Sequence, residues 1–241
     1  MKAQNVIAIV FASLLAAYVL FSLVFFPAAH TTICKDLDIN VRDADERAYV
    51  TTKELRGYLT SNCGPLVGDS INNARLTAVE KTMLGHPMLR TAEAWCSPEG
   101  VLHISVTQRQ PVLRVMGDEN YYVDSDRRKM PVRTTTAAYV PVISGRVPLR
   151  FATGELYDFV LWLEQDPYWS AQIEQINIVS TRHIELIPRV GSGVIVLGSL
   201  EDYPAKLRKL RKLYQHGFSS FGWNDYAEVD LRFRGQIVCR K

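Results

Sequence analysis

The feature that most constrains this chain is a run of 24 residues, Val6–Ala29, without a charged side chain. As an α-helix rising about 1.5 Å per residue, the run would be about 36 Å long, and the hydrocarbon core of a bilayer is about 30 Å thick. A cleavable signal peptide has a shorter apolar core, of about 7–15 residues. The run therefore predicts a transmembrane helix over residues 6–29, with a signal peptide ending near Pro27 as the weaker alternative.

The residues around this run give a weak indication of its orientation. Only Lys2 and the terminal amine precede it, which predicts a cytoplasmic tail of residues 1–5 and export of the rest of the chain. Residues 30–36 are expected to be a short spacer. The formal net charge of +3 is too small to indicate nucleic-acid binding.

The cysteines do not indicate a metal site. Cys34, Cys63, Cys96 and Cys239 form no CxxC pair, and the chain contains no zinc-type spacing. In an exported domain a disulfide between Cys63 and Cys96 is conceivable, because both fall in one predicted module. Four free thiols are an equally good interpretation.

A small α+β module is predicted after the spacer, over residues 37–112. Leu37, Ile39 and Val41 alternate with polar residues, as in a strand with one buried face. Thr51 and Glu54 have the spacing of a helix capping box, and Asn73 is expected to cap a second helix that ends at Gly85. Two strands follow, Thr91–Cys96 and Val101–Gln108, so the order is strand, helix, helix, strand, strand.

The second half, residues 113–241, reads as a mixed β-domain with two helices. One helix has an apolar stripe through Leu156 and Leu163 and stops before Pro167; the other runs from Tyr203 to Tyr214. A last strand is expected from Tyr226 to about Cys239, with alternate residues facing opposite ways. Short strands are predicted at Val112–Val115, Tyr121–Val123, Val140–Ile143, Ile173–Ile178, Ile184–Leu186 and Val194–Leu197.

The chain contains few of the patterns that carry catalysis. A GxSxG nucleophile elbow is absent, and Gly191–Gly193 is expected to form a hairpin turn. His183 and Glu185 would share a strand face, but a third metal ligand is not evident, so an exposed pair is favoured. Asp124 and the residues after it indicate a solvated turn. We therefore expect no enzyme activity, catalytic residue, cofactor or metal.

Two surfaces are candidates for binding a partner. The helix near Lys206 carries Arg208, Lys209, Arg211 and Lys212, which would attract anionic lipid or an acidic protein, although a solvated face is favoured. The last strand is the second candidate surface. A terminal strand often lies at a sheet edge, where its free backbone groups can pair with a strand from another protein. Full pairing within its own sheet is equally compatible with the pattern.

Several motifs resemble those of the bacterial FtsQ/DivIB cell-division family, particularly its Bacteroidetes-type members. Val106–Val115 is similar to the family's V-x-[EQ]-R-x-P stretch, and Val140–Gly145 to its "lPvltG". Tyr121–Val132 is similar to its "YYVD…G…MP" segment, but Arg127-Arg128 stand where glycine is usual, so a different turn geometry is expected there. Further similar segments are Asp166–Trp169, Gln172–Ile176, Glu185–Gly191, Gly222–Tyr226, Val229–Phe233 and Gln236–Cys239.

This resemblance implies a non-catalytic scaffold in the inner membrane, with most of the chain in the periplasm at the division septum. The first module would be a POTRA domain that takes part in septal recruitment and contacts other septal proteins. The β-domain would bind the small coiled-coil proteins FtsB and FtsL through its last strand and the helix before it. Small-molecule substrates and nucleic acid are not expected. The implied partner-binding residues are Glu228, Val229, Asp230, Leu231, Arg232, Phe233, Arg234, Gln236, Ile237 and Val238.

Two other classes of protein remain as alternatives. A membrane-tethered periplasmic enzyme would need titratable groups converging in a cleft, for which His183 and Glu185 offer the one starting point. An export-associated POTRA protein would normally carry several such modules before a barrel, and this sequence has one.

Overall fold

The computed structural model describes residues 11–21, 31–133, 136–191, 193–216 and 225–241. Residues 11–21 are helical (α1) and exposed. In the described part of the chain, no helix combines the length and the apolar character that crossing a bilayer requires. The rest of the predicted transmembrane helix and the predicted cytoplasmic tail lie outside the described residues. The chain divides into two compact units, Met1–Ala44 with Val50–Thr107, and Asp45–Tyr49 with Gln108–Lys241.

The first unit has the strand, helix, helix, strand, strand order predicted from the sequence. Its main sheet has the order β2-β5-β4, with β2 parallel to β5. A two-stranded ribbon of β1 and β3 lies outside this order, and β1 falls within the segment predicted as a spacer. The elements are β1 (Thr32–Ile33), β2 (Asp36–Val41), α2 (Thr52–Cys63), β3 (Ser70–Ile71), α3 (Asn73–Leu84), β4 (Leu89–Cys96) and β5 (Val101–Gln108).

Side-chain caps define where the two helices of this unit begin. Thr51 is extended and accepts a hydrogen bond from the Glu54 N–H (3.2 Å), as the capping-box spacing predicted. The cap of α3 is Asn72, which accepts from the Arg75 N–H (2.8 Å), and the prediction of Asn73 was wrong by one residue. Because β3 keeps the backbone extended as far as Asn72, Asn73 becomes the first helical residue.

The cysteines of this unit are thiols. Cys63 donates to the hydroxyl of Thr82 (3.1 Å) and Cys96 to the carbonyl of Ser97 (3.6 Å), so the two are not joined to each other. Cys34 is fully buried, and desolvation by burial raises its pKa. The disulfide interpretation of Cys63 and Cys96 is therefore replaced by the thiol interpretation.

The second unit is built on a nine-stranded mixed sheet with the order β14-β13-β12-β11-β10-β9-β6-β7-β8. Two of its helices match the predicted apolar stripes, and a short helix after Asp166 was not predicted. Its elements are β6 (Pro111–Met116), β7 (Asn120–Asp124), β8 (Lys129–Pro131), β9 (Val142–Gly145), α4 (Leu149–Ala152), α5 (Glu155–Gln165), α6 (Pro167–Gln172), β10 (Ile173–Ser180), β11 (His183–Pro188), β12 (Val194–Gly198), α7 (Tyr203–His216), β13 (Glu228–Asp230) and β14 (Val238–Arg240).

One continuous apolar core holds this unit together. Phe159 of α5 and Leu207 and Leu210 of α7 are fully buried, and they belong to the same cluster as Ile184 and Ile195 from the middle of the sheet. Burying a side chain of this size stabilises the fold by about 1.5–3 kcal/mol. The core continues to the C-terminal strands through Val229 and Leu231, so the end of the chain is part of this unit.

Gly145 is required where β9 lies between two parallel neighbours, β6 and β10. Its φ is +89°, in the left-handed region, and a Cβ at this position would clash with the carbonyl oxygen of Ile178. The next residue, Arg146, donates its N–H to the same carbonyl (2.9 Å). A side chain at Gly145 would therefore push β9 away from β10.

We expect Gly145→Ala to destabilise the second unit by about 2–4 kcal/mol, because backbone strain and a backbone clash act together. Urea unfolding followed by circular dichroism measures this. The matched control is Gly235→Ala, which has a similar φ of +82° and open space around a Cβ, and should cost about 1 kcal/mol. Equal losses for the two variants would show that β9 does not need this close approach.

Candidate functional site

The C-terminal segment forms a hairpin, and the single strand predicted from Tyr226 to Cys239 is wrong. β13 is parallel to β12 and antiparallel to β14, with Val229 opposite Cys239 and Asp230 opposite Val238. Residues 231–237 connect the two strands, with Gly235 at φ +82° in the turn. The alternating pattern concealed this turn, although Gly235 was a signal for it.

The hairpin divides the predicted partner-binding residues into two groups. Val229, Asp230 and Leu231 are buried, whereas Phe233, Arg234 and Gln236 are exposed in the turn. The alternation predicted that Phe233 would share a face with Val229 and Leu231. The structure shows that it does not. Arg232 is also exposed, although its guanidinium binds Asp230. Glu228, which pairs with Arg240, is half-buried, as are Ile237 and Val238.

Asp230 is the electrostatic centre of the hairpin. Its carboxylate is fully buried and accepts two hydrogen bonds from the Arg232 guanidinium, at 2.9 and 2.6 Å, and one from the Arg232 N–H at 3.0 Å. Arg240 lies 3.7 Å from the same carboxylate. These hydrogen bonds hold the pKa of the Asp230 carboxyl below its ordinary value. The bond from the Arg232 N–H closes a side-chain turn, which sets the direction in which the chain leaves β13.

Gly198 provides the space that this ion pair needs. It ends β12 at φ +76°, and a Cβ there would lie 2.7 Å from Cγ of Arg232. The Arg232 side chain therefore crosses the end of β12 over a residue that has no side chain. Leu231 also donates its N–H to the Val196 carbonyl (2.9 Å), which extends the pairing with β12 by one residue beyond β13.

A lysine from α7 holds the other side of the hairpin. The ammonium of Lys209 donates to the carbonyls of Phe233 (3.0 Å) and Gln236 (3.3 Å), the two ends of the turn. A single side chain thus satisfies two backbone acceptors that would otherwise have to be solvated. The helix before the last strands, which the resemblance implied to be part of the surface, is bonded directly to the turn.

The predicted basic face of α7 is much reduced. Lys206 donates to the carbonyls of Leu197 and Ser199, and desolvation by burial lowers its pKa. Arg211 pairs with Asp166 (3.3 Å) and lies over the ring of Tyr168. With Lys209 in the hairpin, three cations serve the internal structure. Arg208 and Lys212 remain exposed on the helix.

β14 ends the sheet. In the nine-stranded order it has β13 on one side and no strand of the described chain on the other. Cys239, in the middle of β14, packs against the core, and burial raises its pKa, so the thiol stays protonated and is a poor nucleophile. The edge therefore offers backbone groups to a partner and no reactive side chain.

The other sites considered from sequence do not converge on a reaction centre. His183 pairs with Glu185 (3.1 Å), which also accepts from Asn177 (2.8 Å). In the described residues, no group of three or more His, Cys, Asp or Glu side chains is arranged to hold a metal. A cleft of about 460 Å³ opens between β9, β10, α5 and α6, and Ser170 at its rim donates to the carboxylate of Glu164, which is not a nucleophile–histidine pair.

The prediction of a solvated turn at Asp124, after β7, is wrong. Asp124 is buried, pairs with Arg109 (3.3 Å) and accepts from the N–H groups of Asp126 and Arg128, so it organises the turn rather than being solvated. Arg127 has a φ of +58°, the left-handed conformation that glycine adopts readily. The different turn geometry expected from arginine at this position stays a prediction. Its guanidinium binds Asp158 and lies over the ring of Tyr157.

We expect Asp230→Asn to destabilise the protein by about 2–4 kcal/mol at pH 7, because it removes a buried, hydrogen-bonded charge and leaves Arg232 unpaired. Folding lowers the pKa of Asp230, so the ion pair stabilises the folded state above the unfolded-state pKa of about 3.9. That contribution is lost as the pH falls through the lower folded-state pKa. Urea unfolding of both proteins between pH 7 and pH 3 should show the difference shrinking.

The control for this prediction is Glu228→Gln, which removes a partly exposed carboxylate that pairs with Arg240. Exposed ion pairs contribute about 0–1 kcal/mol, so this variant should change the free energy of unfolding little at any pH. A loss for Asp230→Asn that is the same at pH 7 and pH 3 would contradict a role for the charge.

Comparison with known proteins finds separate matches for the two halves of the chain. A family model described as FtsQ/DivIB, C-terminal related, matches residues 110–240, and a POTRA-like domain model matches residues 32–107. The POTRA-like fold expected for the first unit and the mixed α+β class are thereby supported. Two solved structures are also similar, POTRA1-2 and POTRA1-3 of the periplasmic domain of Omp85 from Anabaena. Both are 11% identical to this chain. The first has a TM-score of 0.29 and covers 37% of this chain and 55% of its own. The second has a TM-score of 0.28 and covers 40% of this chain and 38% of its own.

A curated relative gives the same indication. The chain is 27% identical over 181 residues to the protein named "Cell division protein FtsQ" from Salinibacter ruber (strain DSM 13855 / M31). The match covers 64% of this chain and 65% of that protein, so the chain matches just under two-thirds of the length of its relative. The resemblance found in the sequence motifs is confirmed, because the C-terminal family model alone spans more than half of the chain. The chain belongs to the FtsQ/DivIB family.

Proposed function

We propose that this protein is a non-catalytic scaffold of the bacterial cell-division machinery. In this proposal residues 6–29 anchor it in the inner membrane with the N-terminus in the cytoplasm, and the bulk of the chain lies in the periplasm at the division septum. The family membership, the name of the Salinibacter relative and the uncharged run Val6–Ala29 support this. The POTRA-like unit would contact other septal proteins.

The partner of the second unit is, in this proposal, a small coiled-coil division protein of the FtsB/FtsL type. Its extended segment would pair with β14 and add a strand to the sheet. The observation that carries this is the position of β14 as the last strand of the nine-stranded sheet. An unpaired edge binds an extended segment through backbone hydrogen bonds, so no catalytic group is needed.

The opposite end of the same sheet is less suitable for strand addition. β8 has three residues, of which Pro131 lacks an N–H and Lys129 is charged. Proline and lysine at an edge strand are features that prevent pairing with another strand. β14 contains no proline, so each of its residues has a backbone N–H.

The two edges of the three-stranded sheet in the first unit are also obstructed. In β4, the Ala94 N–H donates to the carboxylate of Glu80 from α3 (2.9 Å). In β2, the Leu37 N–H donates to Asp36 (2.7 Å) and the Leu37 carbonyl accepts from Arg56 of α2. A strand added at either edge would have to displace these side chains. The edge at β14 is therefore the best candidate among the four edges of the two larger sheets.

The contacts of the hairpin give the predicted residues two roles in this proposal. Glu228–Arg232 hold the edge in place through core packing and the Asp230–Arg232 ion pair. Phe233–Val238 present the turn and β14 to the partner. Because Asp230 and Lys209 fix both sides of the turn before binding, little ordering entropy remains to be lost.

We expect proline substitutions at Val238 and Cys239 to have opposite effects. Successive N–H groups of a strand point to opposite sides, so one proline removes a bond to β13 and the other removes an outward donor. The variant that lacks the outward donor should unfold at the wild-type urea concentration. It should bind the FtsB-like protein of the same organism about two- to tenfold more weakly, since a lost hydrogen bond costs about 0.5–1.5 kcal/mol. Fluorescence anisotropy measures the binding.

The matched control is Met130→Pro in β8, which alters the opposite end of the sheet. Binding should be unaffected in this variant wherever it remains folded. Wild-type affinity in both β14 variants would contradict strand addition at this edge.

We expect a photocrosslinking side chain at Arg234 or Arg240 to capture a small single-span coiled-coil protein in dividing cells. Arg232 is a poorer probe position, because replacing it breaks the ion pair with Asp230. A probe at Lys129, a charged residue on the opposite edge strand, is the control and should not capture this protein. Capture from Lys129 but not from Arg234 or Arg240 would place the binding surface elsewhere.

A further inference from the structure

The first strand of the protein begins very close to the end of the uncharged run. Only two residues separate Ala29, which ends this run, from Thr32, which begins β1. Three Cα–Cα steps of 3.8 Å reach at most about 11 Å. The headgroup layer on each side of the hydrocarbon core is about 5–8 Å thick. If the run spans the bilayer, β1 therefore lies within or directly against the headgroup layer.

β1 is an integral part of the first unit. It pairs with β3 through Thr32 opposite Ile71 and Ile33 opposite Ser70. Immediately after it, Cys34 donates its N–H to Asp69 (2.9 Å) and accepts from the Gly68 N–H (2.7 Å). The β1–β3 ribbon and its adjoining loop, residues 64–69, thus cannot move away from the membrane without the whole unit.

The surface of this ribbon is apolar where it is most exposed. Between residues 31 and 107, Ile33 is 62% exposed and Val67 is 54% exposed, more than any other large apolar side chain. Pro65 beside them is also exposed. Two of the strongest apolar exposures of the unit therefore fall on the element that is covalently closest to the bilayer.

The charges around the ribbon suit a zwitterionic lipid surface. Lys35 is exposed directly after β1, where a lipid phosphate would lie, and Asp69 is neutralised by Arg75 at 2.9 Å. Glu99 lies on the neighbouring turn, whose Gly100 carbonyl accepts from the Lys35 N–H (2.7 Å). Asp36, next to Lys35, is also exposed, so these side chains include one more acidic than basic group. The net charge is small, and the apolar side chains provide the affinity for the interface.

We propose that the β1–β3 ribbon and residues 64–69 rest in the headgroup layer, with Ile33 and Val67 inserted among the lipids. The partner is the phospholipid surface itself, and the contact fixes which face of the first unit points toward the membrane. This inference rests on the proposed anchor at residues 6–29.

The test uses the full-length protein in phosphatidylcholine nanodiscs. A benzophenone side chain is placed at Val67 or at Ile33, the sample is irradiated, and lipid adducts are measured by mass spectrometry. Both positions should form lipid adducts several-fold more often than the same probe at Leu84. Leu84 is also an exposed apolar residue, but it lies at the far end of α3, whose 12 residues extend about 18 Å from Asn73 beside the ribbon.

A probe at Leu14, within the uncharged run, separates two kinds of failure. Strong labelling at Leu14 with Val67 and Ile33 no higher than Leu84 would overturn the ribbon contact and leave the anchor in place. A lack of labelling at Leu14 would overturn the anchor and, with it, this inference. Resistance to trypsin equal to that of the wild type checks that each variant is folded.

Discussion

Asp230 keeps its negative charge in a position without access to water, and the arrangement of the C-terminal edge depends on this ion. Such a charge is tolerated only with a hydrogen-bonded counter-ion, which here comes from Arg232, two residues later in the chain. The Asp230 carboxylate also accepts the backbone N–H of Arg232 (3.0 Å), which closes a side-chain turn and takes this N–H out of the strand pairing. The strand therefore ends there, and β14 becomes the last strand.

The same ion pair links distant parts of the sequence. Gly198 leaves space for the Arg232 side chain at the end of β12, and Lys209 of α7 binds the turn that the departing chain forms. The end of β12, the helix α7 and the turn after β13 are thus linked by hydrogen bonds to backbone carbonyls and to one carboxylate. This explains why α7 carries so many cations but exposes few of them: their hydrogen-bonding partners lie within the fold.

Local sequence patterns predicted most of the elements, because period-two and period-3.6 alternation reflect which face is buried. They failed where a long-range contact decides the outcome. Val229, Leu231 and Phe233 alternate as in one strand, yet Phe233 is in a turn. The Arg232 N–H is bonded to the Asp230 carboxylate, and Lys209 from a distant helix binds the carbonyl of Phe233. Asp124 was expected to be solvated, but Arg109 compensates its burial. β8 was too short to leave a periodic signal.

The proline at one end of the nine-stranded sheet bears on stoichiometry. A sheet with two open ends can stack with copies of itself, each addition creating a new end, and such growth leads to fibres. Pro131 removes a donor from β8 and Lys129 carries a charge there, so pairing of this edge with another copy of the sheet is disfavoured. Growth through both ends of a sheet would leave the number of copies in an assembly undefined, and an obstructed end at β8 opposes that growth.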